Sequence, residues 1–322
     1  MPDRAEAPGR GGEAAAGPSV RRQVSTHDWL GGLFIPVTTP FDPVTGDIAP
    51  VHFRDNLRRW LETPINGYVV LGSTGECAML DEDEKVQLTE WARDVIPSMR
   101  PLVAGAGAES TRAVVRLSKR FGEAGADAVL VHPPSYFGIS LSAGDLRDHY
   151  LAVADASPVP VLVYHMPKFT HVTLDAGLMG ELSRHPNIAG VKDSSGDLKR
   201  FTEYTEACDA SCRLFVGNGA LLFSALELGA AGGIVALGLL AAGEYGELLS
   251  HYRAGRLPKA GSIQERLAPA HREIVGAYGA RGVKAALDLM GWNGGPPRPP
   301  LSPLREKDRK VVARVMQGAG LL

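Results

Sequence analysis

Cysteine is scarce: Cys77, Cys208 and Cys212 are the three in 322 residues. Thiols so few and so irregularly spaced exclude a disulfide framework and a four-ligand zinc site, and they point to a reducing cytoplasm. An excess of one charge is also lacking. Lys and Arg number 34 against 36 Asp and Glu, a formal net charge of -2. No global field draws the chain to nucleic acid or to an anionic membrane, and neither is expected as a partner. Long hydrophobic runs are missing too. Ile234 to Ala242, the longest, falls far short of the ~20 residues of a membrane span and suits a buried strand running into a loop. The first two dozen residues are rich in Ala, Gly, Arg and Pro and contain no signal-type apolar run, so residues 1–26 are expected to form a disordered tail. His132, His165 and His171 have no carboxylate or cysteine at a ligand spacing, and no metal is expected.

What is present is a repeated alternation. Short runs rich in Val, Ile and Leu begin at Leu33–Val37 and Gly67–Leu71, then recur at Pro101–Ala104, Ala128–Val131, Val159–Tyr164, Ile188–Lys192, Leu214–Val216 and Gly233–Ala236. They are almost continuously apolar, as strands buried on both faces of a parallel sheet must be. Parallel strands need crossovers, and amphipathic segments such as Asp81 to Ile96, Ser110 to Glu123 and Ser142 to Ala156 supply them. No Gly-rich dinucleotide fingerprint follows the first run. The expected class is therefore α/β, a TIM (β/α)8 barrel over residues 27–255, with a C-terminal helical extension over 256–322. Within the extension, 260–292 reads as helical, and a Gly/Pro-rich connector over 294–300 leads to a last helix near 303–317.

Barrel enzymes place their chemistry at the carboxyl ends of the strands. The second run enters Gly72-Ser73-Thr74-Gly75-Glu76, whose small residues expose backbone N–H groups beside two hydroxyls, a cradle for a carboxylate. An ordinary βα turn would look the same. The sixth run ends at Lys192, followed by Asp193-Ser194-Ser195-Gly196. Burial there disfavours an ammonium and leaves an amine able to attack a carbonyl, unless Lys192 is tied up by Asp193 or a nearby acid as a structural ion pair. The fifth run ends in Tyr164-His165-Met166-Pro167, offering a phenol for proton transfer or merely a packed ring. His132 to Phe137, after the fourth run, is expected to shape the pocket wall.

These strand ends, in this order, resemble the dihydrodipicolinate synthase/N-acetylneuraminate lyase superfamily over roughly residues 30–320. Its carriers are Gly72–Glu76, Ala104–Gly107, Gly125–Asp127, Tyr164–Pro167, Gly190–Gly196 and Gly232–Ile234. The resemblance implies Lys192 as a Schiff-base lysine, Tyr164 as the proton-transfer phenol, and Ser73 with Thr74 holding the carboxylate of a pyruvate-type 2-oxo acid. It places Gly75, Tyr136, His165, Phe169, Gly217, Asn218 and Val235 beside the substrates, and implies no cofactor beyond the imine. A homo-oligomer, tetramer or dimer, is expected. The stretch Leu102 to Asp197 and the run Gly294–Arg298 look most like 4-hydroxy-2-oxoglutarate aldolase.

Departures narrow the acceptor. The family's synthases carry an arginine five residues after the strand-five tyrosine, where this chain has Phe169, so lysine biosynthesis is not expected. Its sialic acid lyases place acids after Asn-Gly on strand seven, where Asn218-Gly219 leads into Ala220-Leu221-Leu222. Phe169, Leu221 and Leu222 suggest an apolar pocket for an apolar or aromatic aldehyde, with Lys168, His165 and His171 as partners for one polar group. Many relatives lend a tyrosine across the dimer from the strand-four loop, and Ser135 stands there, beside Tyr136. Aldolase chemistry leads, with dehydratase or hydratase-aldolase chemistry running through the same imine. The other readings are a non-catalytic binding or regulatory relative and a phosphate-binding barrel using Gly217-Asn218-Gly219 and Gly232-Gly233.

Overall fold

A strand with no polar face is stable only between two covered layers, and the apolar runs meet that requirement by closing on themselves. In the computed structural model, which describes residues 27–322, they form β1 (Gly32–Pro36), β2 (Gly67–Val70), β3 (Leu102–Gly105), β4 (Ala128–Val131), β5 (Val161–His165), β6 (Ile188–Asp193), β7 (Arg213–Val216) and β8 (Gly232–Ile234). All pairs are parallel, in chain order, and β8 returns to β1 to close the barrel. The expected tail lies outside the described residues. Most strand limits shift by a residue or two, and two of the shifts have a local reason. Pro160 has no N–H for the ladder, so β5 starts at Val161. β8 stops at Ile234 because Ala236–Leu239 winds into a 3-10 turn before the helix Ala242–Arg253.

Side chains alternate in and out along each strand. Phe34, Val69, Val103, Leu130, Leu162, Phe215 and Ile234 fill the interior, with the rings of Phe34 and Phe215 edge to face at 5.5 Å between centroids. Ile35, Val70, Val129, Val163 and Val191 point out into the helix layer. Each such side chain, fully buried, contributes ~1.5–3 kcal/mol by leaving water. The crossover helices start where their caps put them. Asp81 and Glu84 form a capping box on Glu82–Val95, Ser142 and Asp145 form another on Ala143–Ala156, and Ser110 caps Thr111–Glu123.

The extension packs against the barrel as helices Leu257–Ala270, Ala280–Leu289 and Glu306–Gly318. It is not helical throughout as read from sequence. Pro269 sits inside the first helix, and the next six residues, His271–Gly276, widen into a π-helix. Proline removes one i→i−4 bond and crowds the turn before it, and the chain leaves α geometry for the wider π turn directly after that helix. Gly279, at φ +58°, then breaks the chain before Ala280. No helix among the described residues is long and apolar enough to cross a membrane.

Candidate active site

Register and alternation set the centre of the site. β5 and β6 pair so that Tyr164 lies opposite Lys192 and His165 opposite Asp193. Tyr164 packs within the interior cluster. Lys192 is buried, 4 % exposed, with Nζ 4.3 Å from the centroid of the Tyr164 ring. Asp193 does not neutralise it. That carboxylate belongs to the outer face, where Oδ1 meets His165 Nδ1 at 2.7 Å and accepts from Ser195 N, and Oδ2 accepts from the Ser195 hydroxyl at 2.8 Å. Among the described residues Lys192 has no ion-pair partner. The structural ion pair weighed for it is absent.

The turn after β2 is held in a strained shape. Leu71 at φ 60° and Glu76 at φ 56°, both left-handed without being glycine, bracket the 3-10 turn Ser73–Gly75. Such conformations persist where the surroundings fix them. The Thr39 hydroxyl donates to Gly75 O at 2.8 Å, and the Glu76 carboxylate accepts from Arg298 N and pairs with the buried Lys284 ammonium of the extension. Ser73 and Thr74 are thereby presented to the barrel mouth.

Two adjoining cavities open there. The inner one, of about 220 Å³, is lined by Ser73, Thr74, Tyr164, Lys192, Ser194, Ser195, Gly217, Asn218 and Ile234 from the barrel and by His271, Val275, Gly276, Gly279 and Ala280 from the extension. The outer one, of about 710 Å³, shares Ser73, Tyr164, Met166, Lys168 and Phe169 and adds Lys85, Glu109, His132, Ser135, Tyr278 and Arg281. Gly217 is required for this shape, since a Cβ there would stand 1.9 Å from Ser194 Oγ. Thus Lys192, Tyr164, Thr74, Ser73, Phe169, Gly217 and Asn218 come together around one space.

Four residues placed beside the substrates in the sequence reading lie elsewhere. His165 is wholly buried on the outward face, bound to Asp193 and 3.2 Å from the Tyr204 hydroxyl, because it follows Tyr164 on a strand and must point the other way. Val235 is buried for the same reason beyond the inward Ile234, and the cavity wall takes Ile234 and Ala236 on either side of it. Gly75 is buried behind Ser73 and Thr74. Tyr136 is 81 % exposed, edge-on to Phe137, and does not line its own chain's cavity; Ser135 does. The apolar acceptor pocket is corrected as well. Leu222 is fully buried, Leu221 packs against the core, and neither reaches the cavity, which is lined instead by Lys168, Arg281 and Lys85 beside Phe169 and Met166.

The phosphate-site glycines have packing roles. A Cβ on Gly232 would lie 2.0 Å from Gly32 O, and one on Gly219 2.6 Å from the Tyr245 hydroxyl. Among the described residues no group of three or more His, Cys, Asp or Glu is placed to hold a metal ion. Sequence reasoning missed the extension's share of the wall. One mark in the sequence was Pro269, which stands two residues before the π turn whose His271 and Gly276 line the inner cavity.

The chain matches a family model described as the dihydrodipicolinate synthetase family over residues 29–319. It is 32 % identical over 291 residues to a 4-hydroxy-tetrahydrodipicolinate synthase of Syntrophus aciditrophicus, covering 90 % of this chain and 99 % of that protein. A dihydrodipicolinate synthase structure from Bacillus anthracis superposes with a TM-score of 0.85 at 30 % identity, covering 89 % of this chain and 97 % of that one. One from Acinetobacter baumannii, described as chloride inhibited and complexed with pyruvate, does so at 0.86 and 28 %, covering 91 % and 99 %. With barrel and extension both matched, and with relatives covered over nearly their full length, the chain belongs to the dihydrodipicolinate synthetase family and is an aldolase-type lyase that works through a Schiff-base lysine.

Proposed function

We propose that Lys192 is that lysine and that its partner is pyruvate or a close 2-oxo acid. The observation that carries the reading is a buried lysine without a counter-charge, set in one cavity with Ser73, Thr74 and Tyr164. The 2-oxo acid's carboxylate sits on the Ser73 and Thr74 hydroxyls and the N–H groups of their turn, which puts its keto carbon within reach of Nζ. The amine adds to that carbon, the oxygen leaves as water, and the imine forms. Tyr164 moves the protons this exchange needs. Loss of a proton from the neighbouring carbon gives an enamine, which attacks an aldehyde carbon; its oxygen takes up a proton, and water then frees the product from Lys192. Read backwards, the sequence cleaves a 4-hydroxy-2-oxo acid. No cofactor takes part.

The acceptor proposed is a short aldehyde acid of the glyoxylate type, making the chain like 4-hydroxy-2-oxoglutarate aldolase. Phe169 stands where the family's synthases carry the arginine for aspartate semialdehyde, and it lines the cavity. The names of relatives such as the Syntrophus protein favour the synthase instead. Dehydratase and hydratase-aldolase chemistry share the imine, and product analysis separates them. A homo-oligomer, dimer or tetramer, is proposed from the family resemblance and from Tyr136, Phe137 and Ile139, exposed together after β4. The experiment is borohydride reduction with pyruvate, peptide mapping, and then kinetics with glyoxylate against aspartate semialdehyde. An adduct on Lys192 and turnover of glyoxylate are expected. An adduct elsewhere removes the Lys192 assignment, and preference for aspartate semialdehyde removes the aldolase specificity.

A further inference from the structure

Three cations, Lys85, Lys168 and Arg281, line the outer cavity with no ion pair among the described residues, and we infer that two of them, Lys168 and Arg281, select an acceptor aldehyde that carries an anionic group. This deepens, and rests on, the aldolase reading above. Lys168 follows β5 in the short helix Pro167–Thr170 and lines both cavities. Its Nζ donates to Gly276 O at 3.0 Å, and among the described residues it has no ion pair. Arg281 opens the helix Ala280–Leu289 on the extension side of the mouth, where its one hydrogen bond is a long one, 3.4 Å from Nη1 to Ser302 O. Two other arginines are tied down by acids: Arg298 is bidentate on Glu84, and Arg93 meets Asp127 at 2.6 Å.

The acids at the same cavity are already committed. The Glu109 carboxylate accepts from Ser135 N and Oγ and from Tyr136 N, and Glu76 pairs with Lys284. Lys284 answers the charge of Glu76, whereas Glu109 stays ionised on its neutral donors, so Lys85, Lys168 and Arg281 outnumber the one carboxylate there that no cation pairs. A concave wall of low dielectric concentrates such a field on whatever enters. The carbonyl that holds Lys168 belongs to the π-helical turn His271–Gly276. Its first residue, His271, lines the inner cavity, is 8 % exposed, and leaves Nδ1 without a partner. Burial first, then the charges of Arg272 and Lys168, push the imidazole down to about 4, so it adds no charge at neutral pH. The π turn thus frames a subsite beyond the imine carbon, cationic at the mouth and neutral inside, of the size and sign for a carboxylate on a small aldehyde.

The test compares glyoxylate with uncharged acetaldehyde in the full-length protein, wild type against Lys168→Met and Arg281→Gln. Each variant is expected to keep the borohydride-trapped pyruvate adduct. KM for glyoxylate should rise about 10-fold per charge removed, the loss of one charge-assisted hydrogen bond. kcat/KM for acetaldehyde should change less than about 2-fold, and Lys168→Arg should restore most of the preference. A wild type that forms the adduct but uses both aldehydes equally overturns the subsite alone. So do variants that lose both aldehydes in parallel, which marks a structural role. A wild type with no adduct overturns the aldolase reading and this one with it.

Discussion

Lys192 and Lys284 are both buried, 4 % and 1 % exposed, and each ammonium lies over an aromatic ring, Tyr164 at 4.3 Å and Phe41 at 4.4 Å. They differ in what answers the charge. Lys284 pairs with Glu76 and donates to Pro296 O at 2.8 Å; burial pushes its ammonium below the ordinary value, and Glu76 pulls the other way. Lys192 has the ring and the cavity. Burial alone therefore says little about a lysine's task. A buried lysine whose charge is compensated ties two parts of the fold together, here the extension and the strained turn after β2. One without compensation, facing a space that holds a small molecule, is available for chemistry.

The largest effect should come from Lys192→Ala, which removes the nucleophile. The pyruvate adduct is expected to vanish and activity to fall on the order of 10⁴-fold or more, as when other covalent nucleophiles are deleted. Retention of an adduct in that variant, with Lys284→Met abolishing it, would invert the comparison. Next is Tyr164→Phe. If its phenol moves protons, kcat should drop about 10²–10⁴-fold while the adduct still forms slowly and KM for pyruvate changes little. A loss confined to KM would show instead that the ring only shapes the site.

The paired lysine should fail differently. Lys284→Met leaves Glu76 buried without its partner, and the chain is expected to lose ~3–5 kcal/mol of stability, read as a lower urea midpoint at unchanged slope. A Lys284→Met/Glu76→Leu double variant should recover much of that stability. It should not recover full activity, because the grip on the Ser73–Thr74 turn is gone, and KM for pyruvate should stay raised. Equal recovery of stability and KM would make the pair dispensable to the site.

The barrel was legible because its signal is local: an apolar run bounded by turn residues marks a strand whatever its neighbours are, and caps such as Asp81, Ser110 and Ser142 mark helix starts to within a residue. Lys192, Tyr164, Ser73 and Thr74 were legible because strand ends in a barrel converge. His165 and Val235 misled because proximity in sequence to a site residue means the opposite face of a strand. Leu221 and Leu222 misled because a helix start turns such residues into the outer layer. His271, Gly276 and Arg281 were hidden for another reason. Their place in the wall depends on a π turn after Pro269 and on how far the extension folds back, and both are tertiary facts.

The smallest effect extends the comparison to buried bases with no acid at all. His149 is 6 % exposed, with Nδ1 2.9 Å from the Thr111 hydroxyl and Nε2 without a partner. Desolvation first, then the charge of His132, lower it from 6.5 to about 4. Above the unfolded value neither state is protonated, and the imidazole costs nothing. As pH falls below 6.5 the unfolded chain takes up a proton that the native one refuses, so stability is lost down to about 4, where the native state protonates too. At ~1.4 kcal/mol per pH unit the loss reaches at most ~3.5 kcal/mol. His149→Gln keeps a side chain able to meet Thr111 and has nothing to titrate. Between pH 7 and 5 its urea midpoint is therefore expected to fall by visibly less than that of the wild type. Parallel lines for the two proteins would mean that the pocket around His149 opens to water before acid reaches it, and that an unanswered buried base, unlike Lys284, need not constrain the fold.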